Sequence, residues 1–160
     1  MKLPPLSLVV IASVVLDQAI KWLVETRLTM EELVPVLPFL GLYRTWNIGI
    51  AFSKLSNIGP NALIFMTILI IVFVGWLWSR AGAEKRYARL GFALITGGAI
   101  GNLIDRMLLG HVIDYILFHT PVWSFAVFNF ADSLITFGAF LILVQEFSDW
   151  RNARQSDPSG

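Results

Sequence analysis

The sequence predicts a mainly α-helical membrane protein, with four transmembrane helices and a small extracytoplasmic β-sheet between helices one and two. Hydrophobic residues make up 56% of the 160 residues, charged residues only 14%, and the mean hydropathy is +0.70. A soluble domain of this size is less apolar. Four apolar runs are each long enough to cross about 30 Å of hydrocarbon at roughly 1.5 Å per residue. We therefore expect one membrane domain over residues 1–160, with helices at about 6–24, 62–79, 90–109 and 130–147.

Charge predicts how these helices are oriented. The loop between helices two and three holds four basic residues against Glu84, whereas the outer loop at 110–129 contains neither Lys nor Arg. Because Lys and Arg concentrate in short cytoplasmic loops, we expect both termini to be cytoplasmic, and Lys2, Arg151 and Arg154 agree. Tryptophan, which prefers the two interfaces, supports the same topology: the predicted inner ends hold Trp76, Trp78 and Trp150, and the outer side holds Trp22, Trp46 and Trp123.

The first helix carries Ser13, Asp17 and Lys21 on one face. The apolar run continues past Asp17 and Lys21 without a small-residue cleavage site, so we expect a retained helix and not a signal peptide. Two interpretations of the charges remain open. Lys21 snorkels to the outer interface and Asp17 neutralises it, or the pair belongs to a functional site, because charge inside a span is costly.

The outer β-rich loop, at about 26–60, shows a period of two from Leu40 to Ser53, which predicts strands. Pro35 and Pro38 restrict its start to edge or turn conformations. Such a sheet is able to dock an extended peptide by strand addition. Asn47 lies on its polar side, where a turn residue is the simpler alternative.

The third helix carries the sequence TGGAIGNLIDR from Thr96 to Arg106. Gly97 and Gly101 form a GxxxG pattern, which favours close helix packing. Glycines and polar residues share one face, so we expect that face to meet protein and not lipid; its members are Gly98, Gly101, Asn102, Asp105 and Arg106. The fork of Arg106 suits a peptide carbonyl or a carboxylate, while Asp105 has the simpler alternative of pairing with neighbours.

Two further acids, Asp114 and Asp132, lie near the predicted outer ends of helices three and four. Asn129 followed by Asp132 is also an ordinary helix-start pattern. Two carboxylates brought close together cannot both ionise cheaply, so one keeps a proton. Such a pair can activate water and polarise a peptide carbonyl. We expect Asp132, at a helix N-terminus, to be ionised and Asp114, among apolar residues, to keep the proton.

Composition argues against several other classes of function. The absence of cysteine, the presence of only two histidines and the lack of HExxH predict no metal and no cofactor. Scattered basic residues and a net charge of +1 predict no nucleic-acid partner. Three alternatives remain: a serine hydrolase, a small proton-coupled transporter, and a bundle in which the polar residues are only structural. The hydrolase would pair Ser124 or Ser133 with His111 or His119, without a recognised motif; the transporter would use Asp17 and Asp105.

Five sequence blocks in order resemble the bacterial lipoprotein signal peptidase family, signal peptidase II. They are Asp17 with Lys21, NIGIAF at 47–52, GGAIGNLIDR at 97–106, VIDY at 112–115 and FNFADS at 128–133. Ile50 departs from the family pattern, which often has alanine there. The resemblance implies an aspartic endopeptidase of the bacterial inner membrane that acts near the outer face. Its substrates are diacylglyceryl-modified prolipoproteins, which it cuts before the lipidated cysteine, and globomycin blocks it.

The resemblance also assigns residues. The catalytic pair maps onto Asp114 and Asp132. The residues expected to support the pair and the substrate are Asp17, Lys21, Asn47, Gly98, Asn102, Arg106, Asn129 and Ala131.

Overall fold

Four long helices form the body of the protein. The structure is a computed structural model that describes residues 5–49 and 60–156; Lys2 and the predicted strand positions from Ile50 to Ser53 lie outside the described residues. The helices are α1 (Leu6–Arg27), α2 (Pro60–Arg80), α3 (Arg86–Leu109) and α4 (Phe130–Ser156). Each is long and apolar enough to cross a membrane. The four predicted helices are confirmed, although α3 begins earlier and α4 ends later than the apolar runs.

The helix α3 lies at the centre and packs against the other three. In contrast, α2 exposes most of its apolar side chains, including Phe65, Val72 and Phe73, which are 62%, 63% and 57% exposed. An apolar surface of this kind is typical of a helix that faces lipid. Because α2 also has no charged residue before Arg80, it has the surface of a lipid-facing scaffold.

Glycines let α3 approach its neighbours closely. A Cβ at Gly98 would collide with the carbonyl oxygen of Ala131 in α4, and a Cβ at Gly101 would collide with the Asp17 carboxylate in α1. Gly97 also faces α1. Small residues that bring helix backbones together stabilise packing in membranes. The predicted packing role of the glycines is therefore confirmed, and it extends to two different partner helices.

A four-stranded antiparallel sheet covers one end of the bundle, which we call the sheet end. Its order is β1-β2-β3-β4, with β1 at Leu33–Leu37, β2 at Leu40–Asn47, β3 at Val112–Thr120 and β4 at Trp123–Ser124. The predicted strand is confirmed over 40–47, and Pro35 lies in the edge strand β1, as expected.

The sheet is not built only from the segment between α1 and α2. The segment 110–129, predicted as a loop, contributes β3 and β4. The first four residues of β3 are all buried, so both faces are covered and no alternation of apolar and polar residues marks the strand. Pairing of β3 with β2 places Asn47 opposite Val112 and Thr45 opposite Asp114, which brings the polar end of β2 beside the first of the two acids.

Candidate active site at the sheet end

Asp114 lies in β3, which follows directly after α3. Gly110 adopts a left-handed conformation, with φ of 77°, and ends the helix. The Asp114 carboxylate is 2% exposed and accepts hydrogen bonds from the side-chain amides of Asn129 (2.7 Å) and Asn47 (2.9 Å). Burial, which has the largest effect, and the nearby charge of Asp132 together raise the pKa of Asp114 to about 6, against the opposing effect of the Asn47 hydrogen bond. Asp114 therefore holds a proton more readily than an ordinary aspartate does.

Asp132 lies in the first turn of α4 and forms a reciprocal cap with Asn129. The Asp132 backbone N–H donates to Asn129 Oδ1 (2.9 Å), and the Asn129 backbone N–H donates to Asp132 Oδ2 (3.3 Å). The other oxygen, Oδ1, accepts a bond from Asn102 Nδ2 (2.8 Å). The helix-start interpretation of this sequence is therefore correct, and the same contacts fix the orientation of the Asp132 carboxylate.

One side chain, Asn129, connects the two acids. Its Nδ2 donates to Asp114, while its Oδ1 accepts the N–H of Asp132. Asn129 is fully buried, so these bonds have little competition from water. The two acids, 18 positions apart in the sequence, thus belong to one hydrogen-bonded network.

Below the acids lies a buried ion cluster made of Asp17, Lys21 and Asp105. Lys21 Nζ is 2.8 Å from Asp17 Oδ2 and 2.7 Å from Asp105 Oδ2, and the three side chains are at most 2% exposed. Asp17 Oδ1 also accepts the backbone N–H of Ala131 (3.1 Å). Lys21 is enclosed by protein and does not snorkel to an interface. The cluster therefore joins α1 to both α3 and α4.

Lys21 also determines how Asn102 is oriented. Lys21 Nζ donates to Asn102 Oδ1 (3.0 Å), and Asn129 Nδ2 donates to the same oxygen (3.1 Å). Because an ammonium group has no acceptor, the amide atom facing Lys21 must be the oxygen. The Asn102 Nδ2 group is then left to donate to Asp132. The ion cluster and the two acids are thereby linked through a single amide.

The remaining predicted residues have more indirect positions. Arg106 Nη1 makes a long hydrogen bond of 3.4 Å to the Asn102 carbonyl, and its guanidinium interacts electrostatically with both Asp132 and Asp114. Gly98 and Ala131 lie where α3 and α4 approach each other closely, and they contact each other there. Ser133 donates its hydroxyl to the Asn129 carbonyl (3.1 Å), and no described serine is hydrogen-bonded to a histidine.

Three contributing residues, Gln18, Asp105 and Tyr115, were not among the predicted site residues. Gln18 Nε2 donates to Asp105 Oδ1 (2.9 Å) and also reaches Asp17 Oδ2 (3.3 Å). Asp105 Oδ2 accepts the Ile113 N–H (3.3 Å), which ties α3 to β3. The Tyr115 hydroxyl accepts the first N–H of α4 (3.2 Å), and burial raises the pKa of Tyr115, so the hydroxyl stays protonated. The sequence does contain a sign of the role of Gln18, because it is a polar residue that interrupts the apolar span together with Asp17 and Lys21.

Within residues 5–49 and 60–156, no group of three or more His, Asp or Glu side chains is arranged to hold a metal ion. The acids of the ion cluster instead face the ammonium group of Lys21. The two carboxyl groups at the sheet end, Asp114 and Asp132, are linked to each other through Asn129.

Comparison with known proteins gives a consistent family. The Signal peptidase (SPase) II model matches residues 9–148. A protein named Lipoprotein signal peptidase from Allorhizobium ampelinum is 51% identical over 150 residues, which cover 94% of this chain and 92% of the relative. A protein of the same name from Brucella ovis is 54% identical over 148 residues, which cover 92% of each chain.

Two solved structures are also similar, and both are described as a bacterial membrane enzyme determined by the in meso method. The first, at 1.9 Å, has a TM-score of 0.78 and 30% identity, covering 87% of this chain and 90% of the other. The second, at 2.3 Å, has a TM-score of 0.81 and 29% identity, covering 92% of this chain and 90% of the other. The likeness therefore extends over nearly the whole membrane domain.

Proposed function

Since the chain belongs to the signal peptidase II family of aspartic peptidases, we propose that Asp114 and Asp132 are its catalytic pair. In this proposal the protein removes the signal peptide from diacylglyceryl-modified prolipoproteins and cuts just before the lipidated cysteine. The observation that carries the assignment is the Asn129 side chain, which contacts both acids at once. No observation favours the transporter alternative over a peptidase.

The reaction needs only the two acids and water. Ionised Asp132 takes a proton from water as the hydroxyl oxygen attacks the scissile carbonyl carbon, and protonated Asp114 donates a hydrogen bond to the carbonyl oxygen. Asp132 then passes the proton to the departing amine nitrogen as the C–N bond breaks. The raised pKa of Asp114 supports its role as the protonated partner, and the two N–H donors on Asp132 support its role as the base.

The supporting residues position the pair. Asn47 and Asn129 hold Asp114 in place, and Asn102 orients Asp132 from below. Lys21 and Asp17 hold Asn102 and the start of α4, respectively. In addition, Gly98 and Ala131 allow α3 and α4 to approach closely enough for these bonds, and Arg106 adds positive charge near the acids, where it is available to a substrate carbonyl.

The location in the cell follows from charge. The basic loop between α2 and α3 lies at the end of the bundle opposite the sheet. We therefore place both termini in the cytoplasm and the two acids near the outer face of the bacterial inner membrane. A site at that interface is accessible to a lipid-anchored substrate and to membrane lipids. Membership of the family, whose members are blocked by globomycin, leads us to propose that globomycin inhibits this protein as well.

The test is cleavage of a diacylglyceryl-modified prolipoprotein by the purified protein. Asp114→Asn and Asp132→Asn should each lower turnover by at least about a hundredfold, because each removes one role in proton transfer. Asp149→Asn, an equivalent change at the opposite end of α4, should retain activity. Thermal unfolding should show that all three variants are folded. Substantial activity in either of the first two variants would disprove the mechanism.

A further inference from the structure

The strand β2 contains a bulge close to Asp114. Leu42 pairs with Ile116. The next pair is Thr45 with Asp114, which lies three positions later in β2 but only two positions earlier in β3. Between these pairs β2 therefore has one residue more than β3, which defines a β-bulge. Bulges are frequent next to active sites, where they change the direction of a side chain.

The bulge determines which side chain of β2 faces Asp114. Asn47 pairs with Val112, two positions from Asp114, so Asn47 and Asp114 lie on the same face of the sheet. If the register before the bulge continued, Asn47 would instead pair with His111, on the other face. Arg44 would then lie opposite Asp114. The extra residue is therefore what allows Asn47 to donate to the Asp114 carboxylate.

Arg44 lies within the bulge, and its side chain binds the end of α1. Nη1 donates to the carbonyl oxygens of Glu25 (3.1 Å) and Leu28 (3.2 Å), and Nη2 donates to Glu25 Oε1 (3.2 Å). The last carbonyls of a helix lack an intrahelical donor, and a cation at that end is favourable. The Arg44 carbonyl also accepts the N–H of Glu31 (2.9 Å). Both the backbone and the side chain of Arg44 are thus held by α1 and the segment that follows it.

These contacts connect the bulge to the helix that carries the ion cluster. Glu25 lies four residues, or about one turn, after Lys21 in α1, and Lys21 is paired with Asp105 of α3. In a register without the bulge, the Arg44 side chain would turn toward the face of Asp114 and lose its acceptors on α1. We propose that Arg44 is a positioning residue that holds the bulge and thereby keeps Asn47 on the face of Asp114. Its effect on cleavage rests on the proposed function.

The first test compares rate–pH profiles for cleavage of the lipidated substrate. Arg44→Met should lower kcat by about two- to tenfold, because the bond from Asn47 to Asp114 is weakened. The fall in kcat/KM should also move to higher pH, as in Asn47→Leu. When Arg44→Met is added to Asn47→Leu, the fall should move no further. A direct effect of the lost charge would instead persist without Asn47, and a merely structural role would not move the profile at all.

Matched variants complete this test. Arg44→Lys keeps the charge and one donor for the α1 carbonyls, so its profile should lie between those of the wild type and Arg44→Met. Arg27→Met makes the same substitution at an exposed position at the end of α1 and should leave the profile unchanged. These variants keep the other charged groups near Asp114, namely Asp132 in α4, Lys21 in α1 and Arg106 in α3.

The second test measures the register and needs no activity. The chain has no cysteine, so a disulfide can form only between an introduced pair. Opposite residues of antiparallel strands lie about 4.5–5.5 Å apart at Cα, a distance that a disulfide spans. Trp46 pairs with Ile113, so Trp46→Cys with Ile113→Cys should form a disulfide on oxidation, whereas Trp46→Cys with Val112→Cys should not. Adding Arg44→Met should allow the second pair to form it, because loss of the bulge makes these positions opposite.

Two results would overturn the proposal. One is a pH profile that Arg44→Met does not move, or moves equally far in the Asn47→Leu protein. The other is an unchanged disulfide pattern in Arg44→Met protein that thermal unfolding shows to be folded. If the wild type cuts no lipidated substrate but its register depends on Arg44, the proposed function is disproved and the role of Arg44 in the bulge stands.

Discussion

Replacing Lys21 by methionine removes the only cation of the buried ion cluster. Met has nearly the same length and no charge, so the change leaves Asp17 and Asp105 facing each other without a counterion. In the wild-type protein both carboxylates lie within 2.8 Å of Lys21 Nζ and are at most 2% exposed. Breaking a buried ion pair by removing one partner costs about 3–5 kcal/mol. For a chain of this size the melting temperature should fall by about 6–20 °C.

Turnover should fall as well, because Asn102 Oδ1 loses the charged one of its two donors, Lys21 Nζ, and keeps only Asn129 Nδ2 to fix its orientation. If the amide rotates, Asp132 loses a charge-assisted hydrogen bond worth about 1.5–3 kcal/mol, which corresponds to roughly a 10- to 150-fold lower kcat. Stability is measured by thermal unfolding in detergent, and kcat by cleavage of the lipidated substrate. Lys85→Met is the matched control. Lys85 pairs with Glu146 and Asp149 on the surface, and its loss should cost less than about 1 kcal/mol.

A triple variant separates stability from positioning. With Asp17→Asn and Asp105→Asn added to Lys21→Met, no unpaired charge remains, and stability should return to within about 1 kcal/mol of the wild type. The kcat should stay low, since Asn102 still lacks its lysine donor. Full recovery of kcat together with stability would refute the positioning role. A Lys21→Met protein as stable as the Lys85→Met control would refute the ion-cluster argument itself.

Three further predictions concern the surroundings of the acids. Protonated Asp114 is required and its pKa is raised to about 6, so kcat/KM should fall as the pH rises through about 6. The Asn47→Leu variant lacks a hydrogen bond that lowers this pKa, so its rate–pH profile should show the same fall at a higher pH. Gly98→Val should force α4 away at Ala131, costing at least about 1–3 kcal/mol in unfolding experiments and abolishing cleavage; a stable, active variant would contradict the packing. Tyr115→Phe leaves the first N–H of α4 without its acceptor and should lower stability by about 1–3 kcal/mol, measured by thermal unfolding.

The helices were predictable because a bilayer imposes a minimum length on an apolar span. Each helix contains a continuous apolar run that is visible in the sequence without knowledge of its neighbours. It also marks the individual polar residues of α1 and α3, since charge in a span is costly and therefore conspicuous. The ends were less well predicted. The charged residues beyond 147 gave no apolar signal, yet α4 continues to Ser156.

The strand β3 and the pairing of side chains were not predictable in the same way. Alternation marks a strand only when one face is exposed, and Val112 to Tyr115 are buried on both faces. The contacts of Gln18 are equally non-local, because its partner Asp105 is 87 positions away. The sequence shows that Gln18 is polar, but the packing of α1 on α3 decides which group it meets. The roles of Asp114 and Asp132 as catalytic residues stay predictions.

The position of Asp132 depends on how α4 begins. The first N–H groups of any helix lack an intrahelical acceptor, and in a membrane such groups are expensive to leave unpaired. In α4 the first three donate to side chains from different elements, namely the Tyr115 hydroxyl in β3, the Asp17 carboxylate in α1 and the Asn129 amide (3.2, 3.1 and 2.9 Å). The start of α4 is therefore fixed to α1 and to β3 at once. Because Asp114 lies in β3, the same N–H groups that begin the helix also set the position of one acid relative to the other.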